Sequence, residues 1–141
     1  MSNDSVITEE MRNMIGLETG RVMYDVDKTM LRGIAEAIDD TNPRWLEEAA
    51  PGFIISAMVT GGGGGLPESL FPLKRMVAGG GDWDFFHPVK IGDVITCTSK
   101  FTDIYERQGK AGTLLFLVTE TIVTNRTGEI AAKGKSILIN Y

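Results

Sequence analysis

The run Phe53-Ile54-Ile55-Ser56-Ala57-Met58-Val59 has no polar face. An element that is apolar all round must be enclosed on every side, so the rest of the chain has to be built around it. The preceding Pro51-Gly52 suits a helix start, and the small Ser56 and Ala57 suit close packing, so the run reads as a buried helix. A central strand is the alternative for so short a run.

The material to enclose it lies downstream. Strand character begins at Asp82, with Trp83, Phe85 and His87 expected on one side and Asp84 and Phe86 on the other until Pro88 ends the run. Lys90 to Asp93 reads as a turn. Val94 to Tyr105 is a long run rich in Val, Ile, Thr and aromatic residues. Arg107 to Gly112 reads as a hairpin loop. Leu114 to Val123 is the next strand, and its apolar centre implies burial on both faces or a dimer seam. Asn125-Arg126-Thr127-Gly128 is a hairpin turn, and Ile130 to Tyr141 is the last strand, with Ile137 and Ile139 alternating against polar neighbours.

Upstream, residues 6 to 16 read as a short helix and Val22, Tyr24 and Val26 as one face of a short strand. Asp27 is placed to cap a helix on which Met30, Leu31, Ile34, Ala35 and Ile38 form an apolar stripe ending near Asp39. Asn42 caps a second short helix that starts at Pro43 and closes at Pro51. Gly61 to Gly65 and Gly79 to Gly81 read as interruptions, with a short strand or irregular segment from Leu70 to Val77. The fold class expected is α+β: a curled antiparallel sheet wrapped around a central helix, one domain over residues 1–141.

The chain has 141 residues, a formal net charge of −5, one cysteine and one histidine. The acidic balance argues against nucleic acid as the main partner. A lone Cys97 and a lone His87 cannot furnish a site needing two or more such ligands, so no metal is expected. No signal peptide and no transmembrane run is apparent, which points to a soluble, cytoplasmic protein.

One stretch carries chemistry. Residues Ala37-Ile38-Asp39-Asp40-Thr41-Asn42-Pro43-Arg44-Trp45 resemble the hydratase motif Gly-Asp-x-Asn-Pro-aliphatic-His. With Tyr24 to Trp45, Pro51 to Ser56, Gly79 to Asp93 and the meander Val94 to Tyr141, they make most of the chain resemble a hot-dog fold domain of the MaoC-like group, in particular its FAS1-like N-terminal dehydratase domains. The resemblance implies a 2-enoyl thioester substrate, with an aspartate and a histidine sharing general acid–base work. It also implies an N–H at the start of the central helix that receives the thioester oxygen. Asp40, Asn42 and Pro43 match the motif. Asp39 replaces the glycine, Arg44 the aliphatic residue, and Trp45 the histidine. An indole N–H donates but does not titrate usefully, so the catalytic pair is incomplete. By the same resemblance Gly52 is the oxyanion donor, and Gly52, Phe53, Gly61 and Gly62 border the acyl pocket.

The resemblance further implies that a domain with such an eroded motif pairs with an active hot-dog domain. The expectation is therefore a non-catalytic or weakly catalytic subunit of an enoyl-CoA hydratase or 3-hydroxyacyl dehydratase, shaping the acyl pocket for a partner that carries the Asp/His pair. The chain covers one hot-dog, so the partner is expected on a separate chain, with a self-dimer as the alternative. No cofactor is expected beyond the coenzyme A of the substrate. Two other functions stay open: a stand-alone homodimeric acyl-CoA hydratase or thioesterase using Asp40, and an acyl-CoA-binding module without chemistry.

The remaining features have plainer readings. The five-glycine run lacks the Gly-Lys-Ser/Thr ending of a phosphate loop and reads as a loop. His87 reads as a packed or half-exposed strand histidine rather than a base. Cys97 is a small buried apolar residue. Lys74, Arg75, Lys90 and Lys110 fit surface solubility as well as phosphate contact.

Overall fold

A computed structural model describes residues 5–49 and 68–141. The expected central helix, the end of the second helix at Pro51, and Gly52, Phe53, Gly61 and Gly62 lie outside the described residues.

The described elements run α1 (Glu9–Asn13), β1 (Glu18–Asp25), α2 (Lys28–Ala37), β2 (Met76–Phe85), β3 (Val94–Gly109), β4 (Gly112–Thr124) and β5 (Ile130–Asn140). Short 3-10 turns occupy Pro43–Leu46 and Glu68–Leu70. The five strands make one antiparallel sheet in the order β1-β3-β4-β5-β2. β3, β4 and β5 follow one another through tight turns, as their patterning implies. β2, which comes earlier in the chain, adds beyond β5 and forms one edge.

One face of this sheet is apolar because strand side chains alternate. Ile95, Cys97 and Val123 join Val26, Leu31, Ala49 and Val89 in one cluster. Phe101, Ile104, Leu115 and Leu117 join Met11 and Leu70 in a second. Helix α2 therefore lies over one half of the inner face and α1 over the other. Leu31, 2 % exposed, anchors α2; burying such a side chain contributes about 1.5–3 kcal/mol. A bulge between Phe101 and Asp103 resets the alternation, so both Phe101 and Ile104 face inward. The segment before β2 is latched by Asn140, 1 % exposed. Its amide accepts from the N–H of Leu73 at 2.9 Å and donates to the carbonyls of Leu73 and Arg75 at 3.0 and 2.7 Å.

Several elements differ from expectation. Gly79 to Gly81 do not interrupt the chain; they lie within β2, which starts at Met76 rather than Asp82. Ile139 explains one of them, since a Cβ on Gly79 would come within 2.8 Å of its side chain. Gly80, at a φ of 149°, carries the bulge between Ala78 and Gly80. Trp83 and Phe85 do share a side and stack at 6.5 Å, but the strand ends at Phe85 and His87 lies beyond it. The segment after Asn42 is a single 3-10 turn, with Glu47 as its C-cap. There the chain is drawn off by an isolated bridge from Glu48 to Lys90 and by the bond from the N–H of Ala49 to the carbonyl of Val89. The loop expected over Arg107 to Gly112 narrows to Lys110 and Ala111, because the ladder continues to the pair Gly109 and Gly112.

Candidate functional site

The motif stretch is shaped by how α2 ends. The helix starts on Asp27, whose carboxylate accepts from the N–H of Met30 at 2.8 Å. It stops at Ile38. Beyond it, the N–H of Asp39 reaches the carbonyl of Glu36 at 3.1 Å and that of Asp40 reaches Ala35 at 2.9 Å. This is a Schellman ending, and it requires a left-handed residue just past the cap. Asp39 supplies it with a φ of 53°. Aspartate is among the few residues with a side chain that tolerate this conformation, which accounts for a glycine in the resembling motif and an aspartate here.

Asp40 is then committed on both oxygens. Oδ1 accepts the N–H of Asn42 at 3.0 Å, and Oδ2 accepts the indole Nε1–H of Trp45 at 2.7 Å. Asn42 passes the pattern on, its side chain accepting from the N–H of Arg44 at 3.0 Å. Pro43 opens the 3-10 turn, where a missing N–H is harmless. The Arg44 guanidinium lies 5.4 Å from the Trp45 ring and pairs with Glu48. The motif residues are thus brought together as the alignment of residue types implied, and the position corresponding to the histidine touches the aspartate through a fixed donor.

Asp40 lines a surface pocket of about 340 Å³ with Arg32, Ala35, Glu36, Asp39, Thr41, Asn42 and Leu46. The sequence reading missed Arg32 and Glu36. They lie on the polar side of α2, four residues apart, and reading only its apolar stripe passed over them. Trp45 turns its N–H to Asp40, while the residue lines a second pocket of about 310 Å³ with Arg44, Phe85, Phe86 and His87. His87 is half-exposed, with Nε2 3.6 Å from a carboxylate oxygen of Glu129. It is not among the residues lining the pocket of Asp40. Hydrogen bonds from Thr127 and then Asn125, with His87 nearby, hold the Glu129 carboxyl below its usual range. Burial pushes the Cys97 thiol up to about 11, as suits a core residue and not a nucleophile. Among the described residues no group of three His, Cys, Asp or Glu is placed to hold a metal ion, and no helix is long and apolar enough to cross a membrane.

Comparison with known proteins bears on the family and the fold. A UPF0336 protein of Thermobifida fusca (strain YX) is 27 % identical, the match covering 82 % of this chain and 83 % of that protein. The ChsH1-ChsH2 complex from Mycobacterium tuberculosis contains a chain that superposes with a TM-score of 0.73 at 17 % identity, covering 88 % of each chain. A chain of the C-terminally truncated HadBC (3R-Hydroxyacyl-ACP Dehydratase) complex from Mycobacterium tuberculosis superposes with a TM-score of 0.64 at 17 % identity, over 90 % of this chain and 97 % of that one. These likenesses establish the hot-dog fold that the resemblance implied. Residues 13–133 match the family described as FAS1-like, dehydratase domain region, and the chain therefore belongs to that family of MaoC-like hot-dog dehydratase domains.

Proposed function

We propose that this chain is a non-catalytic or weakly catalytic hot-dog subunit of a heteromeric enoyl-CoA hydratase or 3-hydroxyacyl dehydratase. It shapes the acyl pocket while a homologous partner supplies the Asp/His pair. One observation carries this reading. Asp40 is held at 2.7 Å by the indole of Trp45, where the reaction needs a group that gains and loses a proton. An indole N–H remains a donor throughout the cycle, so Asp40 is positioned but has no proton-transfer partner there. His87 does not supply one, since it pairs with Glu129 beside a different pocket. The heteromeric naming of two structural neighbours, ChsH1-ChsH2 and HadBC, supports assembly with a related subunit.

The test is hydration of an enoyl-CoA by the purified chain alone and after co-purification with a hot-dog partner carrying an intact Asp/His motif. Background rate alone and at least about a hundredfold gain with the partner are expected, since correctly placed acid–base groups contribute on that order. Full activity of the chain alone overturns the proposal.

A further inference from the structure

Both core clusters draw on the inner face of the sheet. The outer face has its own pattern, which follows from the strand register. Across β3, β4, β5 and β2, Lys100, Glu120, Lys135 and Asp82 are paired in line. Directly paired residues point to the same side, so these four make a row of alternating sign, plus, minus, plus, minus. Towards the end of the face nearer Gly109, the next row is the exposed Asp103, Val118, Ile137 and Gly80, and the one after it is Tyr105, Phe116, Ile139 and Val77. Tyr105 and Phe116 stack with centroids 4.8 Å apart. Val77 is 47 % exposed, Tyr105, Phe116 and Ile139 are half-buried and Val118 is buried, so an apolar band edged by Asp103 lies beside the charged row on a face that neither cluster uses among the described residues.

We propose that this outer face is an interface between two copies of this chain, related by a two-fold axis that runs parallel to the strands between β4 and β5. A symmetric interface must match itself, because the same patch is presented by both copies. Rotation about that axis exchanges β3 with β2 and β4 with β5 while leaving each row at its own level. Lys100 then faces Asp82 of the second copy and Glu120 faces Lys135, so every contact of the charged row is between opposite signs. In the apolar band, Phe116 faces Ile139 and Tyr105 faces Val77, while Asp103 lies over Gly80. An axis across the strands would set charged rows against apolar ones, except for any row lying on the axis. The order of signs along Lys100, Glu120, Lys135 and Asp82 is thus the argument for a second copy as the occupant. Four strands and these three rows span about 400 Å² per copy at ordinary strand and residue spacings. That is below the usual size of a stable interface, so the assembly is expected to be weak and transient. The inference is independent of the proposed function: it concerns self-association, whatever hot-dog partner the chain has.

The test is sedimentation of the purified full chain over roughly 1–500 µM. Glu120→Lys, Lys135→Glu and the exchange Glu120→Lys/Lys135→Glu are compared with wild type. The wild type and the exchanged variant are expected to gain mass with concentration, because the exchange restores opposite signs across the axis. Each single variant sets like charges together at both symmetry-related contacts, and its association is expected to weaken at least tenfold. Circular dichroism and melting establish that each variant is folded, since Glu120 also lies 3.5 Å from Lys133. Single variants that associate as wild type does, a folded exchange variant that fails to recover, or a wild type that stays monomeric throughout each overturn the interface.

Discussion

Removing the indole N–H while keeping the ring isolates the contact on which the functional reading rests. Trp45→Phe preserves an aromatic side chain beside Arg44 but leaves Asp40 Oδ2 without its donor at 2.7 Å. Oδ1 keeps the N–H of Asn42, so the turn is weakened and not abolished. A hydrogen bond to a carboxylate contributes about 1.5–3 kcal/mol. Both residues are half-buried, and water screens part of this, so about 1–2 kcal/mol is expected. In a chain of this length that lowers Tm by roughly 3–8 °C. Packing changes contribute too, so the measurement is a double-mutant cycle of Trp45→Phe, Asp40→Ala and both, by urea unfolding. A coupling of about 1–2 kcal/mol is expected. A coupling below about 0.3 kcal/mol would show that the two side chains are neighbours without a shared bond, and the reasoning about a fixed donor would fail.

The other expectations follow from single features. Trp45→His places a titratable group at the motif position, and hydration of a short enoyl-CoA by that variant alone is expected to exceed wild type by at least about tenfold; an unchanged rate shows that the pocket lacks more than the base. Gly134→Ala puts a methyl group into the ring of Trp83, which lies against that strand. A loss of about 1–3 kcal/mol and a red-shifted tryptophan emission are expected, and an unaltered spectrum contradicts this packing. The Cys97 thiol is raised in the folded chain to about 11. Folding therefore holds a proton that the unfolded chain releases near pH 9.0, and this contribution is lost as pH rises from there to about 11, by up to about 2–3 kcal/mol. Cys97→Ala, measured against wild type across that range, should reduce the slope, leaving the part due to Tyr24, which burial also raises.

The sequence and the structure agree where local pattern and tertiary context point the same way. Asp27 and the stripe of Leu31 and Ala35 specify α2 by capping and periodicity, and Asn125 to Gly128 specify their turn by residue type. The three C-terminal strands follow from alternation and β-branching. Gly79 to Gly81 misled because glycine carries no packing signal; only the nearness of Ile139 across the ladder shows why a strand needs it there. Asn42 and Pro43 suggested a short helix running to Pro51, but the long-range bond from Ala49 to Val89 decided the path of the described part. Within the candidate site, residue types predicted that Trp45 could only donate. They held no information on its acceptor, because a side-chain contact between residues 40 and 45 depends on the left-handed turn at Asp39.

The inner face carries two apolar clusters with nine and six buried members among the described residues. β3 and β4 place side chains in both, so each strand works as a beam spanning two half-cores. Loosening either half therefore strips support from the other through the backbone ladder, and the unit should open as a whole instead of fraying from one end.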